Sequence, residues 1–239
     1  MLKIFKDKLE LADSFCEELL KLNKEREVLH LALSGGNTPK IIFQTLAKKY
    51  KEKIDWNKIQ IFWGDERCVP PESDESNFGM TKKYLLDYID IPQKNVHPVD
   101  GSNNPEKEVI RYSNEIKKNV PIKSGFPKFD LVILGIGEDG HTASIFPDQM
   151  NLLTSEKICE VAIHPGSGQK RITLSGKVID NAEKIIFLIT GDSKANIAKQ
   201  IFERDDLKKK KYPAANIKPV NGELKFFLDE NAAKLLTGK

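Results

Sequence analysis

A histidine and two acids lie close together in the segment Gly-Ile-Gly-Glu-Asp-Gly-His at residues 135–141. His141 suits acid–base chemistry, because an ordinary imidazole titrates near neutral pH and its neutral form can take a proton from water. Asp139 or Glu138 can orient the ring or raise its basicity, and the sequence leaves open which acid does so. The chemistry offered is acid–base catalysis in a loop that follows a buried strand, which is where open α/β sheets place their active sites.

A second segment has the composition of an anion-binding turn. Ser34, Gly35, Gly36, Asn37 and Thr38 follow an apolar run and precede a proline and a stretch with helical periodicity. Glycines let a ligand approach the backbone, and the N–H groups and dipole of a helix N-terminus favour phosphate. We expect Thr38 or Asn37 to cap the helix. The spacing matches neither the dinucleotide nor the nucleoside-triphosphate glycine pattern, and a plain tight turn is the alternative.

A third group of charged residues, Asp65, Glu66 and Arg67, follows another apolar run and one glycine. Gly64, Pro70 and Pro71 enclose the group, which indicates a shaped loop at the end of a strand. Arg67 is therefore a candidate site residue. The alternative is a solvated cluster of charges on the surface.

The elements that must position these groups alternate along the chain. Apolar runs predict strands at 28–33, 59–63, 129–134, 158–163, 172–174, 185–190 and 225–228. Helical spacing predicts helices at about 9–22, 76–87, 105–120 and 230–236. It also predicts a helix that begins at 38, a short one that ends near 182 and another that ends near 202. This order favours an α/β fold with a mostly parallel, Rossmann-like sheet and helices on both faces, in a single domain spanning 1–239. The carboxyl ends of parallel strands meet at one edge, so the glycine loops and Lys194 should converge there.

The composition is that of an ordinary globular protein. Hydrophobic residues make up 39% and charged residues 31%, and the net charge is only +3, from 38 Lys and Arg against 35 Asp and Glu. We therefore expect neither nucleic acid nor membrane as a partner, and we interpret the lysine-rich segment 204–211 as a solvated loop. The three cysteines form no metal or disulfide pattern. No signal peptide or membrane span is evident, which favours a cytoplasmic protein. A monomer or a small homo-oligomer is expected, and the sequence does not distinguish between them.

At these motifs the chain resembles the 6-phosphogluconolactonase family, and the match runs through nearly its whole length. The most specific features are Gly-Asp-Glu-Arg-Cys-Val-Pro at 64–70 together with Gly-His-Thr-Ala-Ser-Ile-Phe-Pro at 140–147. The resemblance implies the fold shared by glucosamine-6-phosphate deaminase, ribose-5-phosphate isomerase and CoA-transferase, with a small β region added to the parallel sheet. It implies hydrolysis of 6-phospho-D-glucono-1,5-lactone to 6-phosphogluconate in the oxidative pentose phosphate pathway, with no cofactor and no metal.

The resemblance also implies roles for single residues. His141 would be the general base, Arg67 would bind near the reacting carbonyl, and the 34–38 loop would hold the phosphate. Arg171 and Lys194 fall where related sugar-phosphate enzymes place phosphate-binding cations. The expected substrate-binding set is Ser34, Gly35, Gly36, Asn37, Thr38, Asp65, Gly137, Arg171 and Lys194, and the expected catalytic set is His141, Arg67 and Asp139. Because no Ser-His-Asp order stands out, we favour direct attack by water over an acyl-enzyme.

Two alternatives stand beside this interpretation. Glucosamine-6-phosphate deaminases share both glycine loops, but they carry an acid shortly after the histidine, where this chain has Phe146. Asp65 could serve such an enzyme as its proton-abstracting carboxylate, whereas the following Glu66 and Arg67 match the lactonases. The other alternative is a non-catalytic sugar-phosphate sensor. Sensors of this fold usually carry a DNA-binding segment, which the sequence does not suggest, and would need neither His141 nor Arg67.

Overall fold

The computed structural model describes residues 1–202 and 211–236. The strands are β1 (Leu2–Phe5), β2 (Leu29–Leu33), β3 (Ile59–Trp63), β4 (Asp65–Arg67), β5 (Ile122–Lys123), β6 (Phe126–Pro127), β7 (Leu131–Leu134), β8 (Cys159–Ile163), β9 (Lys170–Leu174), β10 (Lys184–Ile189) and β11 (Glu223–Asp229). The α-helices are α1 (Lys8–Glu25), α2 (Asn37–Thr45), α3 (Asn77–Tyr84), α4 (Pro105–Asn119), α5 (Gly176–Asp180), α6 (Ala195–Phe202), α7 (Pro213–Asn216) and α8 (Glu230–Ala233). None of the helices in the described ranges is both long and apolar enough to cross a membrane.

Six strands form a parallel sheet in the order β1-β11-β10-β7-β2-β3. From β2 the chain moves outward to β3, and then crosses to the other side of β2 and continues through β7, β10 and β11. The loops that follow β2 and β7 therefore diverge. A crevice forms outside the carboxyl ends of strands where the order changes direction, and this is where open α/β sheets bind ligands.

The centre of this sheet is covered on both faces. All residues of β2 and β7 are buried, and along β10 only the first residue is partly exposed. Because successive side chains of a strand point to opposite faces, continuous burial requires packing on both sides. This confirms the predicted α/β fold with a mostly parallel central sheet.

A smaller antiparallel sheet, in the order β4-β9-β8, is built beside the first. After β3 the chain passes through Gly64, whose N–H donates to Leu33 O of β2 and whose carbonyl accepts from Leu174 N of β9. Gly64 thus joins the two sheets. In the β4–β9 ladder Asp65 pairs with Thr173 and Arg67 pairs with Arg171. Alternation along the strands puts these four side chains on one face of the small sheet.

The boundaries of several elements differ from those predicted. Strand β1 was not predicted, since its four residues are partly or fully exposed and carry too weak a pattern. It is held as the sheet edge by parallel pairing with β11. The helix predicted over 76–87 ends at Tyr84 and is followed by a 3-10 turn at Leu86–Tyr88. The lysine-rich segment 204–211 lies outside the described residues except for Lys211, which is exposed.

Candidate active site

A cleft of about 370 Å³ opens at the carboxyl ends of the strands, at the point where the sheet order changes direction. It is lined by all of the predicted site residues except Asp139, namely Ser34, Gly35, Gly36, Asn37, Thr38, Asp65, Arg67, Gly137, His141, Arg171 and Lys194. Residues that are up to 160 positions apart in sequence thus share one cavity, because parallel strands deliver their loops to the same edge.

His141 and Asp139 form a directly bonded pair. The ring Nδ1 of His141 lies 2.6 Å from Asp139 Oδ1, which also accepts the His141 backbone N–H at 3.1 Å. Burial opposes ionisation of Asp139, but the bonds from His141 outweigh it and lower the pKa of this carboxyl. An ionised Asp139 accepts the Nδ1 proton, which leaves the lone pair on Nε2. Of the two acids left open by the sequence, Asp139 is therefore the partner of His141.

A side chain at Gly137 would displace this pair. A Cβ at that position would lie 2.1 Å from His141 Nδ1 and 2.5 Å from Asp139 Oδ1. The Gly137 N–H donates to His141 O at 2.9 Å, and the Thr142 hydroxyl donates to Gly135 O at 2.9 Å. The loop thus folds back onto the end of β7 and holds the imidazole at the cleft.

The turn after β2 presents an open helix N-terminus to the cleft. The N-cap of α2 is Gly36, with φ of 100°, and it makes no side-chain cap hydrogen bond. The expectation that Asn37 or Thr38 caps this helix is therefore wrong. The Thr38 hydroxyl instead lies 2.7 Å from the Thr190 hydroxyl at the end of β10. Without a capping side chain, the first turn of α2 keeps its N–H groups for an anion.

Close packing explains the other glycine of this turn. A Cβ at Gly35 would lie 1.8 Å from the Oδ1 atom of Asn77, which is the first residue of α3. Asn77 is buried, donates from Nδ2 to Asp65 O at 2.8 Å, and also lines the cleft. The start of α3 therefore fixes the relative positions of the β2 turn and β4.

The side chains of β4 divide between two environments. Asp65 and Arg67 line the cleft, whereas Glu66 points the other way and is 1% exposed. Its carboxylate accepts N–H groups of Asn77 and Phe78 at 2.8 and 2.7 Å and of Arg67 at 2.7 Å. Burial raises the pKa of Glu66 despite these donors. Glu66 thus anchors the start of α3 to β4 instead of forming a surface charge cluster.

Replacing Glu66 by alanine is expected to reduce the free energy of unfolding by about 2–4 kcal/mol, because it leaves buried N–H donors without an acceptor. Chemical denaturation measures this, with Glu72→Ala as the control, since Glu72 is an exposed acid nearby. If Glu66→Ala kept its stability but lost turnover, the anchoring role would be wrong.

Two arginines lie side by side at the cleft. Arg67 and Arg171 are directly paired across β4 and β9, and burial together with the charge of Arg67 lowers the pKa of Arg171. Within the described residues neither guanidinium, nor the Lys194 ammonium, forms an ion pair with a carboxylate. Like charges opposite each other on a sheet are destabilising. An anion bound between these cations would relieve that repulsion.

An aromatic side chain lies beneath the catalytic candidates. Phe146 is fully buried, and its ring centroid is 4.9 Å from that of His141 and 5.3 Å from that of His164. The Arg171 guanidinium lies over the same ring at 5.5 Å. The side chains of His141 and Arg171 therefore both contact Phe146. This residue, at the position where deaminases carry an acid, is part of the buried core.

The sequence reasoning missed three polar residues of the cleft, Asn77, Thr190 and Ser193. Thr190 and Ser193 flank the predicted Gly191 turn after β10, so proximity to that turn was the available signal. Asn77 reaches the cleft only through the packing of α3. Asp65 accepts a hydrogen bond from Ser144 at 2.7 Å, which sequence reasoning also did not foresee.

The described residues contain no group of three or more His, Cys, Asp or Glu side chains placed to hold a metal ion. All three cysteines are free thiols, and burial raises the pKa of Cys68 to about 11. None of the cysteines lines the cleft. The groups available for chemistry in the cleft are therefore the imidazole, the carboxylates, the three cations and the N–H groups at the start of α2, whereas the N–H groups of Gly137 and Gly140 already donate within their own loop.

Comparison with known proteins gives consistent matches. The family profile described as glucosamine-6-phosphate isomerases/6-phosphogluconolactonase matches residues 8–226. The 6-phosphogluconolactonase of Haemophilus influenzae is 43% identical over 225 residues, 94% of each chain, and that of Treponema pallidum is 45% identical over 174 residues, 73% of this chain and 72% of its own. The structure of 6-phosphogluconolactonase from Trypanosoma brucei superposes with a TM-score of 0.85 at 27% identity, over 99% of this chain and 98% of its own.

Proposed function

Because the chain belongs to the glucosamine-6-phosphate isomerase/6-phosphogluconolactonase family, we propose that it hydrolyses 6-phospho-D-glucono-1,5-lactone to 6-phosphogluconate, a step of the oxidative pentose phosphate pathway. One observation carries the proposal: an imidazole held by a carboxylate faces a cleft that also gathers three cations, none of which forms an ion pair with a carboxylate in the part of the chain that the structure describes. A phosphorylated ester that needs a base and a phosphate site fits this combination.

His141 starts the reaction by taking a proton from water at Nε2 while the water oxygen attacks the lactone carbonyl carbon. Asp139 holds Nδ1–H and stabilises the imidazolium that forms. When the tetrahedral intermediate collapses, the bond between the acyl carbon and the ring oxygen breaks. The proton then passes from His141 to the departing oxygen, and the new carboxylic acid ionises. A strained cyclic ester needs no covalent intermediate for this sequence.

The cleft supplies positive charge both to the carbonyl group and to the phosphate of the substrate. Arg67 supplies positive charge to the carbonyl oxygen, whose negative charge grows in the transition state. The open N-terminus of α2, Arg171 and Lys194 hold the phosphate. Binding the phosphate away from the reacting carbon fixes the position of the lactone beside His141, so remote binding energy is used for orientation.

Phe146 favours hydrolysis over the deaminase reaction of the same family. Ring opening of an amino sugar phosphate uses an acid near this position, whereas Phe146 is fully buried against His141. The sequence comparison also supports hydrolysis, because the two relatives reported above are both named 6-phosphogluconolactonase. A cytoplasmic location, a monomer or small homo-oligomer, and the absence of nucleic-acid or membrane partners stay predictions from the sequence.

The deciding experiment supplies freshly made 6-phosphogluconolactone and subtracts its spontaneous hydrolysis. Enzyme-dependent formation of 6-phosphogluconate is expected, and ammonia release from glucosamine-6-phosphate is not. Ammonia release without lactone hydrolysis would assign the protein to the other activity of the family. Tight binding of sugar phosphates with neither reaction would indicate a sensor.

Replacing Arg171 or Lys194 by alanine is expected to raise KM by about 10- to 100-fold with a smaller change in kcat, because each removes a charge-assisted contact to the phosphate. Initial rates over a range of lactone concentrations separate the two constants. Lys199→Ala, on the following helix α6 and outside the cleft lining, is the control for loss of one positive charge. A normal KM in both cleft variants would move the phosphate site elsewhere.

A further inference from the structure

Arg171 is hydrogen-bonded to a residue that lies just before β9 and outside the lining of the cleft. The Arg171 Nε donates to Gln169 Oε1 at 3.4 Å, and Gln169 Nε2 donates to Glu75 Oε2 at 3.2 Å. Gln169 and Arg171 are two residues apart and therefore lie on the same face of the strand. The amide of Gln169 thus uses its acceptor on the arginine and its donor on the acid.

Glu75 extends the connection to the second arginine. Its backbone carbonyl accepts from Arg67 Nη1 at 2.5 Å, while its carboxylate accepts from Gln169. The Cys68 N–H also donates to Lys170 O at 3.0 Å, which joins the loop after β4 to β9. A continuous path of hydrogen bonds therefore runs Arg67–Glu75–Gln169–Arg171 along the rim of the cleft.

Such a path is useful because two adjacent guanidiniums repel each other and their long side chains have many rotamers. A neutral amide can orient Arg171 without neutralising it, whereas a carboxylate in the same place would compete with the phosphate. Side chains that are ordered before binding do not have to be ordered by the ligand, which improves affinity.

We propose that Gln169 is a positioning residue that, together with Glu75, holds Arg171 ready for the phosphate of the substrate. The role rests on the proposed function, since it concerns the same substrate. Gln169 itself does not line the cleft, so its effect passes through the arginine. The effect therefore falls on binding and not on the attack of water.

The test uses Gln169→Met, which keeps the length of the side chain and removes the amide. We expect KM for the lactone to rise about 3- to 10-fold, as for loss of one hydrogen bond to a charged group, with kcat within about twofold. The Kd for 6-phosphogluconate, measured by calorimetry, should rise by the same factor. Adding Glu75→Ala to Gln169→Met should produce no further loss, because the two side chains act through one path.

Gln93→Met is the matched control, since it makes the same substitution at an exposed glutamine that does not line the cleft. It should leave KM and Kd unchanged, and all variants should share the wild-type melting temperature. Wild-type KM and Kd in Gln169→Met would overturn the positioning role, as would a fall in kcat alone. A wild-type protein that neither hydrolyses the lactone nor binds 6-phosphogluconate would instead overturn the proposed function.

Discussion

Replacing His141 by alanine is expected to lower kcat for the lactone by about 10²- to 10⁴-fold, the usual contribution of a positioned general base. KM should stay within about twofold, because an interaction made only in the transition state affects kcat and not substrate binding. The measurement is the steady-state rate with freshly made lactone, corrected for spontaneous hydrolysis. Asp139→Asn should cause a smaller loss, since it removes the charge that stabilises the imidazolium but retains an acceptor for Nδ1.

The neighbouring histidine provides the control for this experiment. His164 contacts Phe146, as His141 does, but it does not line the cleft. His164→Ala therefore removes an imidazole that contacts Phe146 without removing the proposed base, and this variant should retain most of its kcat. Retention of kcat in His141→Ala, or equal losses in the two variants, would contradict the assignment of His141.

The strands and loops that carry the cleft could be predicted because their signals are local. The buried runs of β2 and β7 are continuous in sequence, and each is followed directly by glycines. In a parallel sheet that information is enough to bring both loops to one edge. Strand β1 carries no such signal, because an edge strand of four residues is stabilised by its partner β11 and not by its own pattern.

The packing around the cleft could not be predicted, because it depends on contacts between distant segments. Glu66 looks like one member of a charged surface cluster in the sequence, yet α3 covers it and uses it as an acceptor for backbone N–H groups. The cap of α2 is a similar case. Asn37 and Thr38 are ordinary capping residues, but the Thr38 hydroxyl is bonded to Thr190, and Gly36 becomes the N-cap.

For the charged residues, the sequence identifies which ones belong to the site but does not show how they are arranged. Arg67 and Arg171 could each be singled out from the sequence, but their direct pairing across β4 and β9 depends on the register of the small sheet. That pairing gives each arginine its importance. Among the described residues neither arginine forms an ion pair with a carboxylate, so together they make a stronger anion site than either would alone. The role proposed for Gln169 and Glu75 is to hold them in place.

Replacing Gly137 by alanine is expected to lower kcat by about 10²-fold or more, although it removes no chemical group. The added methyl would lie 2.1 Å from His141 Nδ1 and 2.5 Å from Asp139 Oδ1, so the imidazole, the carboxylate or the loop must move. Displacement of a catalytic group by about 1 Å can cost about 10²-fold in rate. Steady-state kinetics on the lactone measure the loss.

Gly135→Ala is the matched control for this substitution. It adds the same methyl group to the same loop, two residues earlier, where, apart from the neighbouring residues of the chain, no described atom lies within 4 Å of the new Cβ. If contact with the His141–Asp139 pair is responsible, Gly137→Ala should lose far more kcat than Gly135→Ala, while both variants keep a folded structure by circular dichroism. Equal losses would mean that the loop responds to any added side chain, and the geometric requirement at Gly137 would then be wrong.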